Sequence, residues 1–395
     1  MPQVVYLALT VLGAAILSAC GDGGGKAVAA GSLTPVAVLG EKIFADPGLS
    51  ASGRMACSTC HDPARAHAGS DGLAVPRGGP GLDVPGFRNA PSLRYLDLTP
   101  AFFFDKDGTP TGGFNRDGRA DTLAHQARRP FLAAHEMANA DAAAIAARLR
   151  AAAYADEFRA VFGPQSLEDA EGAFTRAVSA VAQYQREERA FHPYSSRYDD
   201  FLAGRTALSP QEIRGLKLFN DPGKGNCAAC HPSSRGPGGE SPLFTDFTYD
   251  NLGVPRNAEI PANADPEYFD LGLCGPDRTD LADEHKDLCG AFKVPTLRNI
   301  AVTAPYFHNG RYASLTDAVS FYVRRDTHPE EWYPLNGAGV PEKFNDLPPR
   351  YRRNVNVTEA PYDRKPGDLP ALTADEVDDV VAFLKTLTDA DLVNP

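Results

Sequence analysis

The sequence predicts a mainly α-helical fold made of two duplicated domains with long loops. Three observations carry that expectation. One segment occurs twice, since Gly40-Glu41-Lys42-Ile43-Phe44-Ala45-Asp46-Pro47-Gly48 aligns with Gly215-Leu216-Lys217-Leu218-Phe219-Asn220-Asp221-Pro222-Gly223. Copies that far apart are homologous domains rather than a solenoid, whose period is about 20–50 residues. Apolar residues recur at helical spacing, and no run alternates as a half-buried strand does. The chain also holds 36 Gly and 33 Pro among 395 residues, which favours long loops. Its 43% hydrophobic content excludes global disorder, and its net charge of −12 argues against a nucleic-acid partner.

The elements follow in chain order. Residues 4–17 are an apolar run short for a membrane span. They lead into Leu17-Ser18-Ala19-Cys20 and a Gly-rich stretch. This resembles a lipoprotein signal over 1–20 with lipid on Cys20, although no Lys or Arg precedes Lys26. Residues 21–35 read as a linker. The protein is thus expected to be exported to the periplasm or cell envelope and held at the membrane by a lipid anchor only. An N-terminal domain is expected over 36–200, with Ala-rich helices near 141–160 and 168–190. The boundary falls in 192–208, and a C-terminal domain covers 201–395. Ser209 with Glu212, and Thr373 with Glu376, are capping boxes that start helices. The second of these helices carries Val377, Val380, Val381, Leu384 and Leu387 at helical spacing. Long Pro/Gly loops occupy 70–118, 232–270 and 326–370.

Seven cysteines are an odd number. Cys57-Ser58-Thr59-Cys60-His61 and Cys227-Ala228-Ala229-Cys230-His231 are both C-x-x-C-H, the pattern that attaches a c-type haem. Two thiols at that spacing add to the haem vinyl groups, and the adjacent His ligates the iron. A zinc site would gather four Cys or His together, whereas each pair here lies in its own repeat. Each half therefore reads as a cytochrome c-like haem domain, with covalent haem standing in for part of the core that loops cannot supply. Lipid takes Cys20. Cys274 and Cys289 remain and are expected to form a disulfide, which an oxidising compartment permits. The sixth iron position separates electron transfer from chemistry. Past the leader the only methionines are Met55 and Met137, so the second haem has no Met from its own half. Its candidates are His285, His308, His328 and several tyrosines.

The motif string resembles the bacterial di-haem cytochrome c peroxidase family, which includes MauG. The matching pieces run in family order. They are CSTCHDPA at 57–64, RNAPSL at 88–93, DGRADTLAHQA at 117–127, PFLAAHEM at 130–137, CAACH at 227–231, FKVPTLRNIAVTAPYFHNG at 292–310 and SLTDAVSFY at 314–322. Together they span nearly the whole chain after the leader. The resemblance implies a hydrogen-peroxide-dependent oxidoreductase with two covalently bound c-type haems and one calcium ion. In the MauG mode it forms high-valent iron at the first haem and oxidises a partner protein. The alternatives are a cytochrome c peroxidase fed by a small cytochrome c, and a non-catalytic di-haem electron-transfer lipoprotein.

The resemblance also implies roles for single residues. Glu136 matches the distal catalytic glutamate over the first haem, where a carboxylate moves the proton that peroxide cleavage requires. Gln126 and Pro130 match nearby pocket positions. His61 then lies under an open iron face, with His67 a poor rival ligand only six residues away. His135 is expected to point elsewhere on the same helix as Glu136. Asn89, Thr303 and Pro305 match the calcium ligands, and His308 an inter-haem hydrogen-bonding position. Tyr322 occupies the slot where family peroxidases have Met and MauG has Tyr, opposite His231. A hard anionic tyrosinate lowers the potential of such a haem. Two departures stand out. Arg116 replaces the Trp that bridges the haems, the only tryptophan being Trp332, and the residues just before Cys227, GKGN at 223–226, offer no aromatic to pass oxidising equivalents outward.

Overall fold

A computed structural model describes residues 32–70 and 72–393. The expected lipid position Cys20, the expected leader 1–20 and most of the expected linker 21–35 lie outside the described residues. The helices are α1 (Pro35–Ala45), α2 (Cys57–Cys60), α3 (Leu123–Leu132), α4 (Ala142–Ala151), α5 (Ala155–Phe162), α6 (Ala170–Glu187), α7 (Arg197–Leu202), α8 (Pro210–Asn220), α9 (Leu315–Arg324), α10 (Ala374–Lys385) and α11 (Ala390–Val393). Among the described residues, extended structure amounts to three antiparallel pairs of two-residue strands. These are β1 (Arg77–Gly78) with β2 (Val84–Pro85), β3 (Phe103–Phe104) with β4 (Pro110–Thr111), and β5 (Tyr249–Asp250) with β6 (Phe292–Lys293). The expected mainly helical, loop-rich architecture is what the chain adopts. No helix of the described residues is long and apolar enough to cross a membrane.

Side-chain caps set the helix starts. Thr34, Asp141, Asp169 and Ser314 each accept a backbone N–H in the first turn. Ser209 with Glu212 and Thr373 with Glu376 close reciprocal capping boxes on α8 and α10. Such a cap contributes about 1 kcal/mol. The helix expected near 141–160 is two helices. The chain breaks at Ala152, which caps α4 in extended geometry, and restarts at Ala155. Propensity alone does not see the break, because alanine favours helix on both sides of it.

Two apolar cores form within the compact unit Leu33–Pro395. One gathers side chains from Leu39 to Phe191, the other from Tyr198 to Leu387. The repeated glycines build corresponding contacts in each. A Cβ on Gly40 of α1 would lie 2.0 Å from the Ala180 carbonyl oxygen of α6, and one on Gly215 of α8 would lie 1.9 Å from that of Asp379 on α10. Only glycine lets these helices approach so closely. The repeated aspartates match as well, since Asp46 and Asp221 each accept the backbone N–H two residues on, at 2.8 Å. The halves are tied by Asp389, fully buried, whose carboxylate accepts from Arg94, Tyr95 and Asn299. Arg298 adds to this junction, pairing with buried Asp199 while lying over the rings of Tyr95 and Tyr194.

Candidate functional site

A single cavity runs past both C-x-x-C-H motifs, lined by Cys57, Cys60 and His61 and by Cys227, Cys230 and His231. Both motifs coil tightly. His61 donates its backbone N–H to the Cys57 carbonyl at 3.0 Å, and His231 donates to that of Cys227 at 2.8 Å. The turn brings the two thiols and the imidazole to one wall. His61 Nδ1 lies 3.0 Å from the His67 carbonyl oxygen, and His231 Nδ1 lies 2.7 Å from that of Phe244. A carbonyl holding Nδ1–H leaves Nε2 as the basic nitrogen, the arrangement a metal-ligating histidine needs. Burial pushes both imidazoles below their ordinary pKa, so they stay neutral. Burial also pushes the thiols of Cys57, Cys227 and Cys230 up to about 12. No group of three or more His, Cys, Asp or Glu gathers among the described residues to hold a bare metal ion. Thiol pairs beside a basic imidazole on a shared cavity fit covalent haem, one per motif. Cys274 and Cys289 are joined in a disulfide.

On the first half's side, Glu136 stands in a turn and not on a helix. α3 ends at Leu132, and the chain then folds back so that Met137 donates to the Pro130 carbonyl at 3.0 Å. The expectation that His135 and Glu136 share a helix is thus corrected. Proline at 130, which leaves its own turn without a donor, sits where the helix is about to end. β1 grips this turn. Gly79 donates to the Glu136 carbonyl at 2.8 Å, and a Cβ on Gly78 would meet the His135 carbonyl at 2.4 Å. Glu136 lines the cavity, and its Oε2 is buried with no hydrogen-bond partner. Burial raises its carboxyl pKa, while Arg119 and Arg129 oppose the shift and Asp277 adds to it. Gln126 and Pro130 line the cavity from α3. His135 lines it too, its ring edge-on to Phe87 at 4.9 Å. His67 does not line it. Its ring stacks on Phe191 at 4.2 Å, a packing role.

On the second half's side, Tyr322 projects from α9 into the cavity, 5.6 Å between ring centroids from Phe307 and 6.1 Å from Tyr362. Burial pushes its phenol far above the ordinary value, and Asp250, Cys227 and Cys230 add to the shift. Such a phenol ionises only against a strong positive charge. His285 stacks on Phe104 and His328 approaches Thr327, and neither lines the cavity. His308 lines it, but its ring lies flat on Phe292 at 3.7 Å. Sequence reading missed Tyr362 and Asp250 here, and Arg129 and Asp277 beside Glu136. None of these carries a local motif. Tyr362, Asp250 and Arg129 reach the cavity through tertiary packing, and Asp277 pairs with Arg129 beside it.

Between the halves, Asn89, Thr303 and Pro305 line the same cavity. The oxygens of Asn89 are engaged. Arg116 donates from Nη2 to Asn89 Oδ1 at 2.8 Å and from Nε to its backbone carbonyl at 3.0 Å. Trp332 is elsewhere, packed edge-on against Tyr312 and Phe321.

Comparison with known proteins agrees with this geometry. Residues 35–207 match the family model described as di-haem cytochrome c peroxidase. The chain is 40% identical to the methylamine utilization protein MauG of Paracoccus denitrificans, over 90% of this chain and 88% of that one. It is 31% identical to the cytochrome c551 peroxidase of Nitrosomonas europaea, over 72% and 71%. The solved structure of the diheme peroxidase BthA from Burkholderia thailandensis superposes with a TM-score of 0.83 at 43% identity, covering 92% of this chain and 88% of that one. Two thiol–histidine turns on one cavity, and likeness to these relatives along nearly the whole length, place the chain in the MauG and di-haem cytochrome c peroxidase family of oxidoreductases that act on peroxide.

Proposed function

We propose that the protein is a hydrogen-peroxide-dependent di-haem c oxidoreductase of MauG type that oxidises a partner protein in the periplasm, where the leader would tether it through Cys20. The observation that carries this reading is Tyr322 on the cavity wall, in a half that offers no methionine. The haem irons, when bound, supply the electrons that reduce peroxide to water and hold the resulting oxidising equivalents. The chain's own residues do the rest. His61 and His231 present neutral Nε2 atoms to the irons. Glu136 holds a carboxyl whose unpartnered Oε2 would take a proton from one peroxide oxygen and deliver it to the other as that oxygen departs as water. Gln126 and Pro130 shape the space beside it. Tyr322 would offer a phenolate oxygen to the second iron, which would disfavour reduction by a soluble cytochrome.

A cytochrome c peroxidase uses the same first half, and relatives carrying that name support it as the second reading. The non-catalytic reading gives the buried, unpartnered Glu136 oxygen no purpose. Steady-state peroxide consumption with a reduced small cytochrome c separates the two enzymes, and slow turnover is expected. Tyr322→Phe should change the absorption and electron paramagnetic resonance of one haem only and speed electron uptake from the cytochrome. Fast turnover by the native protein, or two haems unchanged in the variant, would sink the MauG-type assignment.

A further inference from the structure

The family's calcium does not fit the donor set described above. We propose that the Arg116 guanidinium is this protein's internal replacement for that ion, so that the holoprotein binds no calcium between its haem sites. A calcium ligand must turn its oxygen toward the ion at about 2.3–2.6 Å. Asn89 supplies the expected side-chain oxygen, and Arg116 already bonds that oxygen and the same residue's carbonyl through its two-pronged edge. Asn89 is itself 5% exposed, and its N–H donates to the His308 carbonyl at 2.8 Å. The guanidinium is therefore anchored where the 88–93 segment meets the 303–309 segment that carries the other two ligand positions.

The charges around it point the same way. Nearby carboxylates are committed elsewhere, Asp117 to Arg88 and Arg119, and Asp270 to Arg88. Among the described residues none forms an ion pair with Arg116. Lys293, whose backbone N–H donates to the Arg116 carbonyl at 2.9 Å, places a second buried cation close by. A divalent ion added here would meet fixed positive charge and no free carboxylate, whereas calcium sites are built from anionic and neutral oxygens. Arginine suits the substitution because its planar fork satisfies two acceptors at once and cannot be chelated away. One residue thus takes both the slot of the bridging tryptophan and the task of the ion.

The test uses the di-haem holoprotein and reads metal, not turnover, so it stands apart from the proposed activity. Metal analysis and calorimetric titration with calcium chloride should find no stoichiometric calcium, and EGTA should leave both haem spectra unchanged. Arg116→Ala frees the Asn89 oxygens and should gain one calcium per chain, with haem spectra that become sensitive to EGTA. Arg116→Lys keeps a charge and should remain calcium-free. One tightly held calcium in the native protein overturns the proposal even if the alanine variant does not fold. A folded alanine variant that still binds none shows that Arg116 is not what excludes the ion.

Discussion

The first and second haem half-sites share a floor and differ in the polar group added to it. Each floor is the same turn. Two thiols precede a histidine whose N–H returns to the first cysteine and whose Nδ1 is held by a carbonyl. Behind it lie the same helix pair and the same glycine contact. What each half adds is opposite in chemistry. One adds a carboxyl with an unpartnered oxygen, the other a phenol buried among aromatic rings. Duplication kept what binds and let go of what reacts. A carboxylate moves protons, whereas a phenolate ligates and holds a metal oxidised. The asymmetry is therefore expected in chemistry and absent in stability.

The sharpest way to break this contrast is Glu136→Gln. General acid–base catalysis is worth about 10²–10⁴-fold, and peroxide reduction should fall by that factor with haem content unchanged. Unfolding will not account for it. Because burial raises the Glu136 pKa, protonation favours the folded state. The ionised side chain thus costs stability as pH rises through that value. Glutamine lacks the cost, so the variant should be at least as stable at neutral pH. Turnover within a factor of about ten of native would remove proton transfer by Glu136 from the first half.

The symmetric side of the comparison is tested by Gly40→Ala against Gly215→Ala. Each new methyl would strike a backbone oxygen about two ångströms away, and backbone cannot rotate aside. Overpacking of this kind costs about 1–3 kcal/mol. Denaturant unfolding should show similar losses for both, with peroxide chemistry retained in the folded fraction. A loss confined to one variant would mean that the two helix pairs do not carry equivalent loads.

How much of this was legible in the sequence follows the range of the interactions. Capping boxes, the C-x-x-C-H turns and the repeated Gly and Asp are local, and each reads correctly from neighbouring letters. The helix break at Ala152 was hidden because alanine tolerates both states. Glu136 was identifiable by its motif, yet its turn was not, since that turn is held by β1 from far along the chain. The motif likewise named Asn89 as a calcium ligand. That Arg116 would bond both of its oxygens is a tertiary fact that no spacing encodes. Tyr362 beside Tyr322 is of the same kind.

The smallest effect is a shift in pH dependence, and its sign distinguishes the residues around Glu136. The carboxylate is the form that accepts a proton. As pH falls through the raised pKa this form is lost, so the acid limb of peroxide reduction should lie above the ordinary glutamate value of 4.5. Arg129 lowers that pKa, and Asp277 raises it. Arg129→Met should therefore move the limb upward by about one unit, and Asp277→Asn should move it downward. Asp277 also pairs with Arg129, so its removal frees that cation to act on Glu136, which strengthens the downward shift. Neither change should touch the spectrum of the second haem, whose side of the cavity carries Tyr322 and Asp250. Rate profiles of the three proteins read the result. Limbs that coincide, or that move the other way, would show that another group sets the acid limb and that the first half's distinctive chemistry does not reside in Glu136.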